Sequence, residues 1–280
     1  MLSPRQIFED NIRPAELLLK VYRLLEHDKP NTEADVLNSL REIVKADPDE
    51  AMIVIYNEIF LGLIRERAQI PDSAIRQTAL LNLLRQAVVC SCTALETYLP
   101  ALLTRYLEEV VRYRGRNFIP SDQEVATVCK ALTFSLDDAV RLINDPDPFF
   151  VANKLIGYLK FTYLSGWKGV QFTGLLLTVP RPGAELASRL GREEKELRKI
   201  VEDTTSRRND IVHRADRPDL GVDDAQQDIS FSWALQAVET IRLVCTCLDE
   251  LVCERLQKLR QGTPVIPVRG VGGDEPRDSE

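Results

Sequence analysis

The chain has 280 residues, of which 44% are hydrophobic and 28% are charged, a balance that allows a large buried core and excludes a disordered chain. Its formal net charge of -7 excludes the strongly basic proteins that bind nucleic acid through overall charge alone. Any contact with nucleic acid would therefore need a local basic patch.

Cysteine usage and the apolar segments indicate the compartment. The six cysteines lie inside apolar helical patterns, without the turn-rich background of a disulfide scaffold, so we predict reduced thiols in a soluble, cytoplasmic protein. The most apolar stretch, residues 51–64, is interrupted by Asn57 and Glu58 and is too short to span a bilayer. Residues 1–14 contain no signal-like apolar run. We expect no association with a membrane.

Two Cys-x-Cys pairs, Cys90 with Cys92 and Cys245 with Cys247, raise the alternative of a zinc site between neighbouring helices. Residues two apart on a helix point about 200° away from each other, which is poor geometry for a single tetrahedral ion. We therefore expect no metal and no other cofactor.

Helical periodicity starts at the N-terminus and continues along almost the whole chain. A Ser-Pro pair predicts the start of a first helix, which Pro14 restarts and which ends near residue 27. Two further helices are predicted before residue 68. The longest pattern, residues 72–114, is apolar on several faces, which is typical of a helix at the centre of a bundle. Pro100 is its one interruption and marks either a kink or a short break.

The second half of the chain is also predicted to be helical, with one glycine-spaced connector, "SGWKGVQFTG". In that connector, Trp167 and Phe172 either stack on RNA bases or fill an edge of the core. The predicted helices are residues 122–143, 149–164, 183–190, 192–215 and 225–260.

The predicted fold is an all-α helical bundle with long antiparallel helices. Residues 1–70 are assigned to an N-terminal helical region and residues 71–262 to the bundle. Residues 263–280 are rich in glycine and proline, which predicts a disordered C-terminal tail.

The segment "SRRNDIVHRADRP", residues 206–218, contains the most unusual charge pattern. On an ideal helix, Arg208 falls in a stripe that is otherwise mainly apolar, whereas Asn209 and His213 fall in a separate polar column. A guanidinium on an apolar stripe is costly unless an acceptor holds it, so Arg208 needs a partner. The alternative is a solvated helix end, in which Asp210 and Arg214 form an ordinary ion pair.

These residues resemble the Arg-x(4–6)-His motif of the HEPN superfamily, with Arg208, a polar Asn209 and then His213. The preceding residues resemble the RiboL-PSP type of HEPN domain. Upstream, "VVCSCTALETYLPALL" resembles the early family helix that carries an acidic residue, here Glu96. The likeness covers residues 72–260.

The resemblance implies a helical homodimer in which two motifs meet, and a metal-independent endoribonuclease, often a toxin or an antiviral defence effector. The implied partners are an RNA substrate, a second copy of the chain, and an antitoxin or another protein. His213 can exchange protons near neutral pH, and Arg208 can bind phosphate and stabilise growing negative charge. Asn209 is expected to bind the phosphate or to hold the helix end.

Three other residues are assigned supporting roles. Glu96 is the candidate acceptor for Arg208, or an orienting carboxylate for His213. Arg207 could replace Arg208 in the motif, and Asp210 is the expected partner of Arg214. Modification of a tyrosine two residues after the histidine, which switches off related toxins, is not expected because that position is an alanine.

The sequence leaves two questions open, one about assembly and one about function. Residues five apart are rotated by about 140° on a helix, so either the helix end unwinds or His213 works with a second subunit, and we favour the dimer. The alternative function is a catalytically inactive helical module that binds RNA, a nucleotide or a protein partner. A purely structural scaffold is the third hypothesis.

Overall fold

The computed structural model describes residues 2–25, 77–145, 147, 149–159, 164–217 and 226–262. These residues form nine α-helices and one short 3₁₀ helix, and they contain no strand, so the predicted all-α class is confirmed. The helices are α1 (Pro4–Leu25), α2 (Gln77–Arg114), α3 (Gln123–Ala131), α4 (Leu136–Asn144), α5 (Phe150–Leu159), α6 (Gly166–Leu176), α7 (Pro182–Leu190), α8 (Glu194–Arg214) and α9 (Phe231–Arg260). Three predictions lie outside the described residues, namely the helices between residues 31 and 67, the boundary at residue 70 and the tail from residue 263.

The chain divides into two compact units. The first comprises residues 1–98 and 192–245, and therefore α1, the start of α2, the whole of α8 and the first half of α9. The second comprises residues 99–191 and 246–280. The two longest helices, α2 and α9, each contribute to both units.

In the first unit, α1 packs antiparallel to α9. Tyr22, near the end of α1, stacks on Phe231, the first residue of α9, with ring centroids 5.9 Å apart. Arg242, further along α9, pairs with Glu9 and Glu16, which come earlier in α1. The predicted antiparallel packing of long helices is therefore present in this pair.

In the second unit, α2 and α9 run in the same direction. The hydroxyl of Tyr106 lies 4.0 Å from Sγ of Cys253, and Arg260 pairs with Glu109 at 2.5 Å, so contacts advance along both helices together. Pro100 lies inside a continuous α2 and marks no break. The neighbouring side chains of Leu102 and Leu103 are fully buried, and their burial offsets the backbone hydrogen bond that proline removes.

Two local predictions in the second unit were wrong. The helix expected over 122–143 is divided into α3 and α4, because Ser135 and Asp138 form a capping box that starts a new helix. The connector "SGWKGVQFTG" is mostly helical and forms α6. Its aromatic residues, Trp167 and Phe172, are buried, which confirms that they fill the core and excludes the alternative of base stacking.

Among the described residues, one helix is long and apolar enough to cross a membrane, namely α2 over Leu80–Arg114. Its most apolar window is 56% buried within the protein. A cytoplasmic location stays a prediction.

The glycines of α6 allow close packing, and this gives a testable contrast with α5. A Cβ added at Gly169 would lie 2.8 Å from the backbone carbon of Leu164, whereas a Cβ at Gly157 would meet nothing within 4 Å. We expect Gly169→Ala to lower the free energy of unfolding by about 1–3 kcal/mol through overpacking. Gly157→Ala should raise it by about 0.5–1 kcal/mol because alanine favours the helix. Urea denaturation of both variants measures the two shifts, and equal shifts would contradict this packing.

Candidate functional site

The Arg-x(4)-His segment lies in the last two turns of α8. This helix begins with Glu194 and Glu196 in its first turn and has His213 and Arg214 in its last, a charge order that the helix dipole favours. Its apolar stripe is buried at Leu197, Val201 and Thr204, and this stripe fixes α8 within the first unit. The helix is regular as far as Arg214.

Arg208 continues the buried stripe and finds the acceptor that the sequence predicts for it. Its Nη2 forms an ion pair with Oε1 of Glu96 on α2. The Arg208 side chain is 19% exposed, and its Nε is buried without a hydrogen-bond partner. Glu96 therefore holds one edge of the guanidinium, and a further acceptor such as a phosphate could reach this group only through the exposed fraction of the side chain.

Cys92 lies on the same side of α2, one turn before Glu96. Burial raises the pKa of its thiol to about 11, and the nearby positive charge of Arg208 acts in the opposite direction. The thiol therefore stays protonated at neutral pH and does not serve as a nucleophile. Its Sγ approaches the carbonyl oxygen of Thr204 at 3.8 Å.

His213 and Asn209 lie on a different face of α8 and are both exposed. Five residues of regular helix separate Arg208 from His213 by about 140° of rotation and about 7.5 Å of rise. The structure brings Arg208 together with Glu96, and it does not bring His213 to either of them. Unwinding of the helix end, one of the two solutions open from the sequence, is not the conformation found here.

A buried carboxylate, Asp216, follows the motif and holds the end of α8. It is fully buried, and its Oδ2 accepts from Nε of Arg85 at 2.6 Å and from Nη2 of Arg207 at 2.9 Å. Nε of Arg207 also lies 2.5 Å from Oδ1, an ion-pair contact in which the N–H is not aligned for a hydrogen bond. Nη2 of Arg85 and Nη2 of Arg207 both donate to the carbonyl oxygen of Gln227, and Nη1 of Arg207 donates to its side-chain oxygen.

The backbone at this end of α8 is left-handed at two successive residues that are not glycine. Ala215 has a φ of 50° and Asp216 a φ of 64°. The N–H groups of both residues donate to the carbonyl oxygen of Asp210. Each left-handed residue costs about 1–2 kcal/mol, so the ion pairs of Asp216 stabilise a conformation that the backbone alone disfavours.

These contacts decide among several of the sequence-based interpretations. The solvated helix end does not describe Arg207 and Arg208, which are 16% and 19% exposed and paired with carboxylates. It does describe Asp210 and Arg214, whose ion pair of 3.7 Å is the expected i,i+4 contact. Arg207 donates hydrogen bonds to Asp216 and Gln227, so it is not available to replace Arg208 in the motif.

Two residues of this site were missed from the sequence, Asp216 as an anchor and Arg85 as its partner. Arg85 interrupts an apolar stretch of α2 in the same way that Arg208 interrupts the stripe of α8, so the same argument would have found it. An ideal helix continued past residue 214 would place Asp216 in the polar column with Asn209 and His213. The left-handed turn moves its side chain into the interior instead.

Within the described part of the chain, no three His, Cys, Asp or Glu side chains are grouped as metal ligands would be. Comparison with known protein families, with curated proteins and with solved structures finds no match to this chain.

Proposed function

We propose that the protein is a metal-independent endoribonuclease, in which Arg208 of one copy and His213 of a second copy act on the same RNA phosphate. The observation that carries this proposal is that the last turns of α8 carry different functional groups on neighbouring faces. A guanidinium is held at one edge by Glu96, while an exposed imidazole and an exposed carboxamide lie on the neighbouring face. The resemblance of the motif to the HEPN superfamily supports the same conclusion. A toxin or defence role is the biological setting that this resemblance favours.

The chemistry requires three tasks that these side chains can perform. The 2′-oxygen of a ribose attacks the adjacent phosphorus, and a general base takes the hydroxyl proton. The bond from phosphorus to the 5′-oxygen breaks, and a general acid protonates that leaving oxygen. The products are a 2′,3′-cyclic phosphate and a 5′-hydroxyl. Arg208 stabilises the additional negative charge on the phosphorane, and histidine is the side chain suited to both proton transfers.

The geometry of α8 supports the proposed assembly of two copies. Because Arg208 and His213 point about 140° apart on one regular helix, a single chain does not aim both at one phosphate. A two-fold axis would bring His213 of the second copy to that phosphate, where the imidazole takes the proton of the 2′-hydroxyl and returns it to the leaving 5′-oxygen. Asn209 is exposed one residue after Arg208, and its proposed role is to bind a phosphate oxygen of the same RNA strand.

A catalytically inactive RNA-binding or protein-binding module is the second candidate. The ion pair with Glu96 neutralises part of the charge of Arg208, and this observation favours binding without cleavage. The net charge of -7 also weakens electrostatic attraction to RNA. Cleavage and retention of RNA therefore need to be measured side by side.

We expect the purified full-length protein to cut single-stranded RNA oligonucleotides of random sequence in the presence of EDTA. The 5′ fragments should end in a 2′,3′-cyclic phosphate. A 2′-O-methyl version of the same pool should stay intact because its 2′-oxygen carries no proton. Gel analysis with end-group mapping measures cleavage, and filter retention measures binding. Retention of both pools without cleavage of either would favour the binding module, and cleavage of the 2′-O-methyl pool would contradict the mechanism.

A further inference from the structure

Asp216 is the one fully buried carboxylate of the described residues, and the proposed chemistry does not use it. We propose that Asp216, held by Arg85 and Arg207, is a positioning residue that fixes the last turn of α8 and the direction in which His213 projects. The role of Asp216 in holding the end of α8 does not depend on the proposed function, whereas its consequence for RNA cleavage rests on that function. We call these three side chains the Asp216 clamp.

The buried carboxylate of Asp216 is paired with two positively charged groups. A buried carboxylate is costly unless it is paired and hydrogen-bonded, and here two guanidinium groups approach it at 2.5–2.9 Å. Arg85 is 6% exposed and Arg207 is 16% exposed, so water screens these contacts far less than a surface ion pair. The clamp connects α2, α8 and the segment before α9.

The second chain segment at the clamp supports the same turn. The N–H of Gln227 donates to the carbonyl oxygen of Asp216 at 2.8 Å, and the side chain of Gln226 donates to the carbonyl oxygen of Ala215 at 3.1 Å. The carbonyl oxygen of Gln227 accepts from both clamp arginines. The end of α8 is thus held by main-chain and side-chain contacts together.

The strained backbone indicates what the clamp does. Helix ends normally fray, and left-handed residues other than glycine persist only where their surroundings over-determine them. The two left-handed residues begin two positions after His213, so a fixed turn at 215–216 fixes the helical turn that carries the imidazole. Without the clamp, we expect that turn to open and His213 to sample several directions.

The clamp also bears on assembly. By holding α8 helical as far as Arg214, it opposes the unwinding that would let one chain aim Arg208 and His213 at the same phosphate. The clamp therefore favours a site completed by a second copy.

The test compares two variants with a matched control. Asp216→Asn removes the charge and keeps a side chain that tolerates positive φ, whereas Asp216→Gly removes the carboxylate and also relieves the backbone strain at residue 216, which offsets part of the cost to folding. Glu185→Gln is the control, since it removes a carboxylate paired with Arg255 in the second unit. Amide hydrogen exchange at residues 215 and 216 reports the turn. Proton–carbon NMR of the histidine rings reports His213, with His213→Ala as the assignment.

In the wild type, we expect the amides of Ala215 and Asp216 to be protected. Both clamp variants should speed their exchange by at least about tenfold and should move the His213 ring signal, while the helical CD spectrum stays unchanged. The value of kcat for RNA cleavage should fall by about 100-fold, with KM changed by less than about threefold, because orientation and not binding is lost. Glu185→Gln should change none of these values.

Unprotected amides at 215 and 216 in the wild type would overturn the clamp. An unchanged His213 signal and unchanged exchange in both variants would overturn it as well. If the wild type cuts no RNA, the proposed function fails, and the exchange and NMR measurements still decide whether the clamp positions His213.

Discussion

Replacement of His213 by alanine is expected to lower the rate of RNA cleavage by about 100- to 10,000-fold, the usual contribution of a positioned general acid or base. The side chain is exposed in the last turn of α8, and no other side chain depends on it in the described residues. Its removal should therefore change the free energy of unfolding by no more than about 0.5 kcal/mol. Loss of activity in a fully folded variant separates a chemical role from a structural one.

The matched control for His213→Ala lies on the same helix. Arg198 is exposed and forms an i,i+4 surface pair with Glu202, so Arg198→Ala should leave both stability and cleavage close to wild type. Cleavage rates in EDTA, CD spectra and urea denaturation of the three proteins are the measurements. A His213→Ala protein that cuts RNA as fast as wild type would remove the imidazole from the mechanism.

The sequence predicted the all-α fold and the pairing of Arg208 because both depend on local patterns. Helical periodicity reports the side of each helix that is buried, and a charge on an apolar stripe reports the need for an acceptor. Glu96 could be named because it also interrupts an apolar helix. The same logic applies to Arg85 and would have located one of the three clamp residues.

The parts that the sequence did not predict depend on contacts between distant segments or on single turns. Asp216 turns inward only because two successive residues adopt positive φ. Neither residue is a glycine, so the sequence does not indicate the turn. The glycines of α6 predicted a connector, but Gly169 and Gly174 serve close packing against Leu164 and Pro182 instead. The relative direction of α2 and α9 also cannot be predicted from the residues of either helix alone.

The central claim is that Arg208 and His213 of different copies converge on one phosphate, and two heterodimers test it directly. Co-expression of two differently tagged chains, followed by tandem affinity purification, isolates each heterodimer. One combines Arg208→Gln with His213→Ala, so that the intact arginine and histidine lie on different chains. The other combines the wild type with the double variant, so that both lie on the same chain. Each contains one Arg208 and one His213, and only their distribution differs.

We expect the heterodimer with divided residues to cleave RNA at least about tenfold faster than the heterodimer with both residues on one chain. Both parent homodimers, Arg208→Gln and His213→Ala, should be inactive in the same assay. Glutamine at 208 retains a hydrogen-bond donor for Glu96, which supports folding of that variant. The opposite ranking, with the divided heterodimer inactive and the other active, would contradict the account.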